Sequence, residues 1–282
     1  MFQVRVMATK DYGFAVDLAN GMNWNMGVCD FRFSQFLEPE GCFVLFDGLV
    51  PVGVATCISF GTVGWFGNFV IKPQYRGCGG GRLLLKHAVD YLQGRGVETV
   101  GLYAYPHFRD FYGGFGFKAD LGLTVMYNSR LQLDNLAIAE FETCVDFSVL
   151  SRFDVQFFGA DRSRLLREIV QKKANLCYVS KQGQNIVGYI LAKVWDEGVV
   201  EVGPLVCRSD QPERAVELLK VMLSQLSDRQ VLLYLSHDQR RSGLEEFLLE
   251  VGFRKDFSLL RMFLGKSKIQ SGIHLAESLE RG

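Results

Sequence analysis

The sequence has no surplus of charge of either sign, because 31 lysines and arginines balance 31 aspartates and glutamates. Proteins that bind nucleic acids or acidic membranes usually carry a basic excess or a Lys/Arg run, and neither occurs here. No apolar run approaches the roughly 18 residues of a membrane span, and the alternating start at residues 1–6 lacks the apolar core of a signal peptide. We therefore expect a soluble, cytoplasmic protein with a small-molecule or peptide partner and no nucleic-acid or membrane partner.

Metal-binding and disulfide patterns are also missing from the sequence. The seven cysteines stand singly, with no Cys-x-x-Cys pair, and the four histidines do not combine with them at zinc spacing. We expect no metal site, and reduced thiols that mostly fill the core. The rest of the composition is ordinary for a folded chain, since 282 residues with 48% hydrophobic and 22% charged residues suffice for one large domain or two.

The strongest local pattern runs from Gly67 to Gly81. An apolar run at Phe69–Ile71 is followed by Pro73, by a loop with four glycines, and by apolar residues at helical spacing from Leu83 onward. This order predicts a strand, a glycine loop and a helix. Glycines permit positive φ angles, and the loop amides together with the positive end of the helix dipole can form a concavity that binds phosphate.

The spacing of these glycines separates the possible phosphate ligands. A dinucleotide fingerprint that starts at Gly77 would need Gly or Ala where Arg82 stands, and no glycine here precedes the Lys and Ser/Thr of a Walker A loop. An ordinary glycine-rich turn is an alternative. The stretch Arg76–Gly81 resembles the Arg/Gln-x-x-Gly-x-Gly/Ala pyrophosphate loop of the Gcn5-related N-acetyltransferase (GNAT) superfamily, including the strand that precedes it.

A second motif follows the next predicted strand. The segment from Phe108 to Phe117 resembles the GNAT Phe-Tyr-x-x-x-Gly-Phe motif, in which a tyrosine lies beside the sulfur of coenzyme A. Tyr112 matches that tyrosine, and a phenol with a pKa near 10 can donate a proton to a leaving thiolate. The alternative is a structural tyrosine whose hydroxyl bonds a backbone group. Two motifs in the right order are more specific than either one alone.

The resemblance implies an N-acetyltransferase that uses acetyl-CoA and transfers the acetyl group to a primary amine of a small molecule or peptide. It implies backbone donors on the strand at Phe69–Ile71 and an acid at Tyr112. The residues expected to bind the cofactor are Phe69, Val70, Ile71, Arg76, Gly77, Cys78, Gly79, Gly80, Gly81 and Arg82.

A general base is harder to assign from the sequence. The strand Val63–Ile71 contains no carboxylate, although many members of the superfamily carry a glutamate there. The remaining candidates are Asp30, Glu38, Glu40, His107 or a water molecule held by backbone carbonyls. Trp24 is a candidate for the acceptor pocket, but core packing explains it and the aromatic residues Trp65, Phe66 and Tyr105 equally well.

The other elements of the first half follow from periodicity and turn residues. We expect a strand at Phe2–Met7, a helix at Asp11–Asn20, a hairpin about Asp47-Gly48, and a strand at Val97–Tyr105. Residues 22–36 are richer in aromatic residues than a simple connection needs. Leu121–Tyr127 is predicted as a closing strand.

The pattern then repeats. The segments that correspond are Gly67–Ile71 with Gly203–Cys207, Leu83-Leu84 with Leu218-Leu219, Val100–Tyr103 with Val231–Tyr234, and Phe111 and Gly116-Phe117 with Phe247 and Gly252-Phe253. We therefore predict an α/β (α+β) protein with two tandem GNAT folds, each a mixed central sheet flanked by helices. The predicted domains are residues 1–130, a linker at 131–145, a second domain at 146–265 and a tail at 266–282.

The second copy differs where the chemistry is expected. The glycine loop is replaced by Arg208–Ala215, which has no glycine and adds Asp210 and Glu213, and Leu248 replaces Tyr112. Glu201 lies on the matching strand and is interpreted as a structural or surface carboxylate. The pattern resembles tandem proteins of the YitH-like type, with a degenerate second GNAT domain. A non-catalytic acyl-CoA-binding regulator and a structural tandem domain are the alternative functions.

Overall fold

The computed structural model describes residues 1–131, 141–143, 146–194, 198–237 and 243–282. The chain divides into two compact units, of which the first contains Met1–Leu102, Phe263–Ser267 and Arg281. The second contains Tyr103–Met262, Lys268–Glu280 and Gly282. Most of the predicted linker lies outside the described residues, and the domain limits given above remain a prediction.

The first unit is built on a sheet in the order β1-β2-β3-β4-β5. Its elements are β1 (Phe2–Val6), α1 (Tyr12–Asn20), α2 (Val28–Leu37), β2 (Cys42–Asp47), β3 (Val50–Phe60), β4 (Val63–Ile71), α3 (Gly80–Gly94) and β5 (Thr99–Ala104), whose last two residues count with the second unit. The pairs from β1 to β4 are antiparallel, and β4 and β5 are parallel. The predicted strands, hairpin and glycine-loop helix of this half are confirmed.

Helix α2, which covers much of the aromatic-rich stretch at residues 22–36, is an element of the first half that the sequence pattern did not predict. Phe31, Ser34 and Leu37 form the buried face of this helix. Two other aromatic residues of the same helix lie elsewhere, since Phe33 is only partly buried and Phe36 is exposed. Because only a narrow stripe of the helix is apolar, the spread of its aromatics does not show a helical period.

The second unit has a sheet in the order β11-β6-β10-β12-β9-β8-β7. Its elements are α4 (Arg109–Gly113), β6 (Lys118–Asn128), α5 (Phe147–Phe158), α6 (Ser163–Gln171), β7 (Leu176–Gln182), β8 (Asn185–Val194), β9 (Val199–Cys207), α7 (Glu213–Ser224), β10 (Gln230–Ser236), α8 (Leu244–Glu250), β11 (Arg254–Leu264), whose last two residues count with the first unit, and β12 (Ile273–Leu275). The predicted strand at Leu121–Tyr127 is confirmed as β6, which pairs antiparallel with β10.

The predicted repeat is confirmed at the level of strand register. In the first copy, Val63 pairs in parallel with Thr99 and Trp65 with Gly101. In the second copy, Val199 pairs with Gln230 and Glu201 with Leu232, which are the residues that the sequence repeat aligns with these pairs. In both copies the amphipathic helix that follows, α3 or α7, packs against the sheet through buried leucines. The two halves therefore share one architecture, and their differences lie at the strand ends.

Candidate functional site

The end of β4 is bent by a β-bulge. Val54 of β3 pairs with Val70, but Thr56 pairs with Gly67, so one strand carries an additional residue. Asn68 lies in this bulge with φ +49°, and its side-chain Nδ2 donates to Thr56 Oγ1 at 3.2 Å. Asparagine tolerates a left-handed backbone better than most residues, so this position explains why the strand contains it. The bulge changes the direction in which Phe69–Ile71 present their backbone.

The parallel pairing of β4 with β5 is short. In the described part of the first unit it covers Val63–Trp65 against Thr99–Gly101, while β4 continues to Ile71. The segment Phe66–Ile71 thus extends beyond the parallel ladder of the described residues. Phe69–Ile71, for which the family resemblance implies backbone donors, lie within this segment.

A tight loop joins this strand end to helix α3. Residues 73–75 form a 3-10 turn, Gly77 and Gly79 have φ +77° and +90°, and α3 begins at Gly80. A Cβ added to Gly77 or Gly79 would meet nothing within 4 Å. The need for glycine at these two positions is therefore conformational and not a matter of space.

The next two glycines allow the helix to begin close to the sheet. A Cβ on Gly80 would lie 2.8 Å from Leu45 Cδ2, and one on Gly81 would lie 3.4 Å from Phe69 Cζ. The structure therefore places the N-terminus of α3 next to the bulged end of β4. It brings together the cofactor-binding residues predicted from Phe69 to Arg82.

This helix terminus has the electrostatic character of an anion site. Leu83 N–H donates to Gly79 O at 3.1 Å, which is the first bond of the helix, and the first backbone amides of a helix point out of its N-terminus. The helix dipole adds partial positive charge at the same place. Lys72, Arg76 and Arg82 are the charged residues from position 67 to 82, and this stretch contains no carboxylate.

Arg76 also organises the loop. Its guanidinium Nε donates to Ile71 O at 3.0 Å, which ties the start of the loop to the end of β4. The side chain is otherwise exposed, and its Nη2 lies 3.4 Å from Met22 Sδ. A side chain that is held at Nε and exposed at its tip can still direct N–H donors toward a phosphate.

The corresponding loop of the second copy has lost this character. Arg208 is neutralised by Asp210, whose carboxylate oxygens accept from Nε at 3.0 Å and from Nη2 at 2.7 Å. Helix α7 begins with Glu213 in its first turn, where a negative charge repels an anion. The structure thus explains in physical terms why the second loop should not bind pyrophosphate.

Tyr112 lies on α4, in the second compact unit, whereas the glycine loop belongs to the first. Its side chain is 6% exposed, and burial raises its pKa, so the phenol stays protonated at neutral pH. Its carbonyl accepts from Phe117 N–H at 3.2 Å, and Leu248 O accepts from Phe253 N–H at 2.9 Å in the second copy. These matching bonds support the alignment of Tyr112 with Leu248.

Two of the carboxylates considered as general bases have structural roles. Glu38 is 4% exposed and accepts at Oε1 from Tyr91 Oη at 2.7 Å and at Oε2 from Ser59 N–H at 3.0 Å, while Arg95 pairs with Oε1 at 3.3 Å. Asp30 accepts from Gly27 N–H at 2.8 Å and caps α2. Glu38 is therefore closed to a substrate, and the partly buried Asp30 is engaged at the start of α2, so neither is well placed to receive a proton from a substrate.

The other candidates are more exposed or belong to the core. Glu40 and His107 are exposed, and the His107 ring stacks on Tyr105 with centroids 5.6 Å apart. Trp24 packs against the core formed by α1 and the neighbouring strands, which favours the packing interpretation that the sequence left open. Trp65 is fully buried and packs on Phe263.

The bulge at Asn68 was not predicted from the sequence. The signal was present, because an asparagine after a glycine inside an apolar strand is typical of a bulge.

No group of three or more metal-ligating side chains occurs among the described residues, and within them no helix is long and apolar enough to cross a bilayer.

A repeated fold with one glycine loop beside a split parallel strand pair is the arrangement expected for the acyltransferase class that the motifs resemble. Comparisons with known proteins identify the class more closely. Residues 17–117 match a family described as "Acetyltransferase (GNAT) family", and residues 150–274 match one described as "Acetyltransferase (GNAT) domain". The chain contains two GNAT domains in tandem.

Similar proteins agree with this assignment. Serotonin N-acetyltransferase 2, chloroplastic, from Oryza sativa subsp. japonica is 35% identical over 79 residues. That match covers 27% of this chain and spans 38% of the length of the rice protein. A crystal structure from Pyrococcus horikoshii, assigned as an acetyltransferase, has a TM-score of 0.80 at 20% identity, over 100% of this chain and 96% of that one.

A tandem GNAT protein from the clavulanic acid biosynthesis pathway has a TM-score of 0.63 at 14% identity, over 94% of this chain and 98% of its own. At these identities the solved structures establish the fold. The predicted fold class, with two tandem GNAT folds, is confirmed.

Proposed function

We propose that this protein is an acetyl-CoA-dependent N-acetyltransferase whose cofactor is bound by the first GNAT domain. The observation that carries the proposal is the loop from Arg76 to Arg82, where two glycines at positive φ, a helix N-terminus and an excess of cationic side chains coincide. The rice relative, an N-acetyltransferase by name, supports acetyl transfer to an amine.

The residues fit acetyl-CoA at two places. The amides at the start of α3, with Arg76 and Arg82, would hold the pyrophosphate, and the backbone of Phe69–Ile71 beyond the parallel ladder would hold the acyl end. Acetyl-CoA supplies an acetyl group that is activated as a thioester. We propose Cys78 as a backbone contact only, because its exposed thiol interacts with the Arg76 carbonyl.

The chain then has three tasks in the transfer. The backbone N–H groups of Phe69–Ile71 would donate to the thioester carbonyl oxygen of bound acetyl-CoA. The protonated phenol of Tyr112 donates to the departing thiolate. The proton of the attacking amine leaves through a water molecule held by backbone carbonyls, because the buried Glu38 and the partly buried Asp30 are committed to structural bonds.

A second candidate function is an acyl-CoA-binding regulator without catalysis. The observation that favours it is the absence of any carboxylate on the described strand β4. The two functions make the same prediction for cofactor binding and opposite predictions for turnover.

Calorimetry with CoA tests the shared part of the two proposals. We expect saturable binding to the wild type and a weaker complex for Arg76→Gln, with Arg208→Gln as the matched control in the second copy. Undetectable binding to the wild type would exclude both functions.

A thiol-release assay with acetyl-CoA and a panel of primary amines separates the two functions. The panel should include an arylalkylamine, a polyamine and a peptide N-terminus. We expect turnover that Tyr112→Phe lowers about 10²- to 10⁴-fold in kcat, with CoA affinity unchanged. CoA binding without turnover on any amine of the panel would favour the regulator.

A further inference from the structure

The parallel strands β9 and β10 of the second domain separate just as β4 and β5 do, and a segment from the end of the chain lies between them. The parallel pairs run from Val199 and Gln230 to Val202 and Leu233. Beyond that point β12 pairs antiparallel with both strands, through Ile273 with Val206 and through Leu275 with Leu205 and Leu235. We call residues 272–280 the tail segment.

The tail segment uses the part of β9 that corresponds to the proposed acyl site of the first domain. Cys207, which aligns with Ile71, donates its N–H to Gly272 O at 2.9 Å, and Ala276 N–H donates to Tyr234 O at 3.0 Å. A Cβ on Gly203, which aligns with Gly67, would lie 2.1 Å from Ala276 O. The backbone groups that would face a thioester in the first domain are therefore bonded to, or covered by, peptide in the second.

The side chains of the tail segment are also buried and contacted by the second domain. Leu275, Ala276, Glu277 and Ser278 are each 2% exposed or less. The Lys193 ammonium, itself 3% exposed, donates to the Glu277 carboxylate and to the Glu277 carbonyl oxygen at 2.7 Å, and it pairs with Glu201 at 2.7 Å. A buried cation that contacts both the carboxylate and the backbone of one residue selects an acidic residue at that position.

A second buried cation, Arg162, binds the backbone of Gly282, two residues beyond the tail segment. Asp154 fixes the Arg162 guanidinium by two bonds of 2.9 Å, which leaves Nη1 to donate to Gly282 O at 2.9 Å. That carbonyl also accepts from Glu277 N–H at 3.2 Å, so the chain turns back on itself there. Arg162 is 1% exposed and experiences the negative charge of Glu277 as well.

We propose that the strand gap of the second domain is a peptide-binding site, and that its ligand is the chain's own acidic tail segment. The peptide binds by strand addition between β9 and β10, with Leu275 in the apolar core and Glu277 on Lys193. The equivalence to an acyl site rests on the proposed function of the first domain, whereas the peptide site rests on the contacts of the second domain alone. Occupancy by peptide excludes an acyl-CoA from this gap.

Hydrogen exchange on the intact chain tests the proposal directly. We expect the amides of Cys207 and Ala276 to exchange as slowly as those of the β8–β9 ladder. Leu275→Ala should accelerate exchange in residues 272–278 selectively, while Leu219→Ala, an equally buried leucine of α7, should accelerate exchange across the whole unit. A tail segment that exchanges in the wild type as fast as an unstructured peptide would overturn the proposal.

Binding in trans provides the second measurement. A chain ending at Lys268 should bind a labelled peptide of residues 269–282 with one-to-one stoichiometry by fluorescence anisotropy. Leu275→Ala in the peptide should weaken binding by about 30-fold or more, and Glu277→Gln by about 10-fold or more. Gln270→Ala is the matched control, because that side chain is exposed.

Equal affinities for all four peptides would contradict the assigned contacts. If the shortened chain does not fold, the exchange of the intact chain decides. Arg76→Gln separates this proposal from the function of the first domain, since it should weaken CoA binding and leave the tail segment protected.

Discussion

The substitution Gly79→Ala is the sharpest test of the glycine loop, because its cost comes from the backbone alone. Gly79 has φ +90°, and a Cβ there would meet nothing within 4 Å. An L-residue in the left-handed region costs about 1–2 kcal/mol relative to glycine. The variant therefore either keeps the loop and loses that much stability, or relaxes the loop and loses CoA affinity.

The loss of stability and the loss of CoA affinity both come from the positive φ at position 79, so we predict their sum. The decrease in the free energy of unfolding plus the decrease in CoA binding free energy should total about 1–2 kcal/mol. If the loop relaxes fully, the Kd for CoA rises about 5- to 30-fold. Urea denaturation without ligand and calorimetry with CoA measure the two parts on the same protein.

Gly94→Ala is the matched control on the same helix. Gly94 is the last residue of α3, has no positive φ, and offers open space to a Cβ. We expect unchanged CoA affinity and a stability equal to the wild type or higher by about 0.5–1 kcal/mol. A Gly79→Ala variant as stable as the wild type and equal in CoA affinity would refute the conformational role of this glycine.

Three further predictions concern reactivity, pH and the buried carboxylate. A thiol reagent should label the exposed Cys78 quickly, and CoA should slow this labelling. Burial raises the pKa of Cys42 to about 12, so its thiol should stay unlabelled in the native protein. Mass spectrometry of the labelled peptides measures both rates. Burial raises the pKa of Tyr112 above its unfolded value of 10.0, so above that pH the phenol ionises in the unfolded chain but not in the folded one. The free energy of unfolding should therefore be unaffected by this group at lower pH and should decrease as the pH rises above about 10. The urea midpoint should fall over the same range, and Tyr112→Phe should reduce that fall. Glu38→Ala should lower the free energy of unfolding by about 1–3 kcal/mol, because Tyr91 and Ser59 lose a buried acceptor. The kcat at saturating acetyl-CoA should stay unchanged. A selective loss of kcat with normal stability would instead identify this carboxylate as the general base.

The elements that could be predicted from the sequence are those whose residues act locally. The glycines from Gly77 to Gly81 require a loop wherever the rest of the chain lies, and the Asp47-Gly48 turn defines its hairpin by itself. The repeat could be predicted because its apolar strands and helices keep the same spacing in both halves. These features depend on short-range geometry, and the structure confirms them.

The features that could not be predicted depend on partners distant in the sequence. Strand β12 has three residues and no measurable period, and it becomes a strand because β9 and β10 leave an edge open on each side of it. Glu201 could be interpreted as structural, but its partner Lys193 could not be identified, since the pair forms only when β8 and β9 are in register. The role of Glu38 in binding Tyr91 and Arg95 was hidden for the same reason.

The comparison of the two strand gaps explains how one architecture can serve two purposes. A pair of parallel strands that separates exposes backbone donors and acceptors, and these must be bonded by something because an unbonded buried group is costly. In the first domain, the glycine loop and its cationic neighbours make a phosphate-bearing ligand suitable for this role. In the second domain, Arg208 is neutralised by Asp210, so the loop gives an anion little attraction, and a peptide segment bonds the strand edges instead. We propose that the same requirement for backbone hydrogen bonds is met by CoA in the first copy, whereas the chain itself meets it in the second. This predicts one molecule of CoA bound per chain.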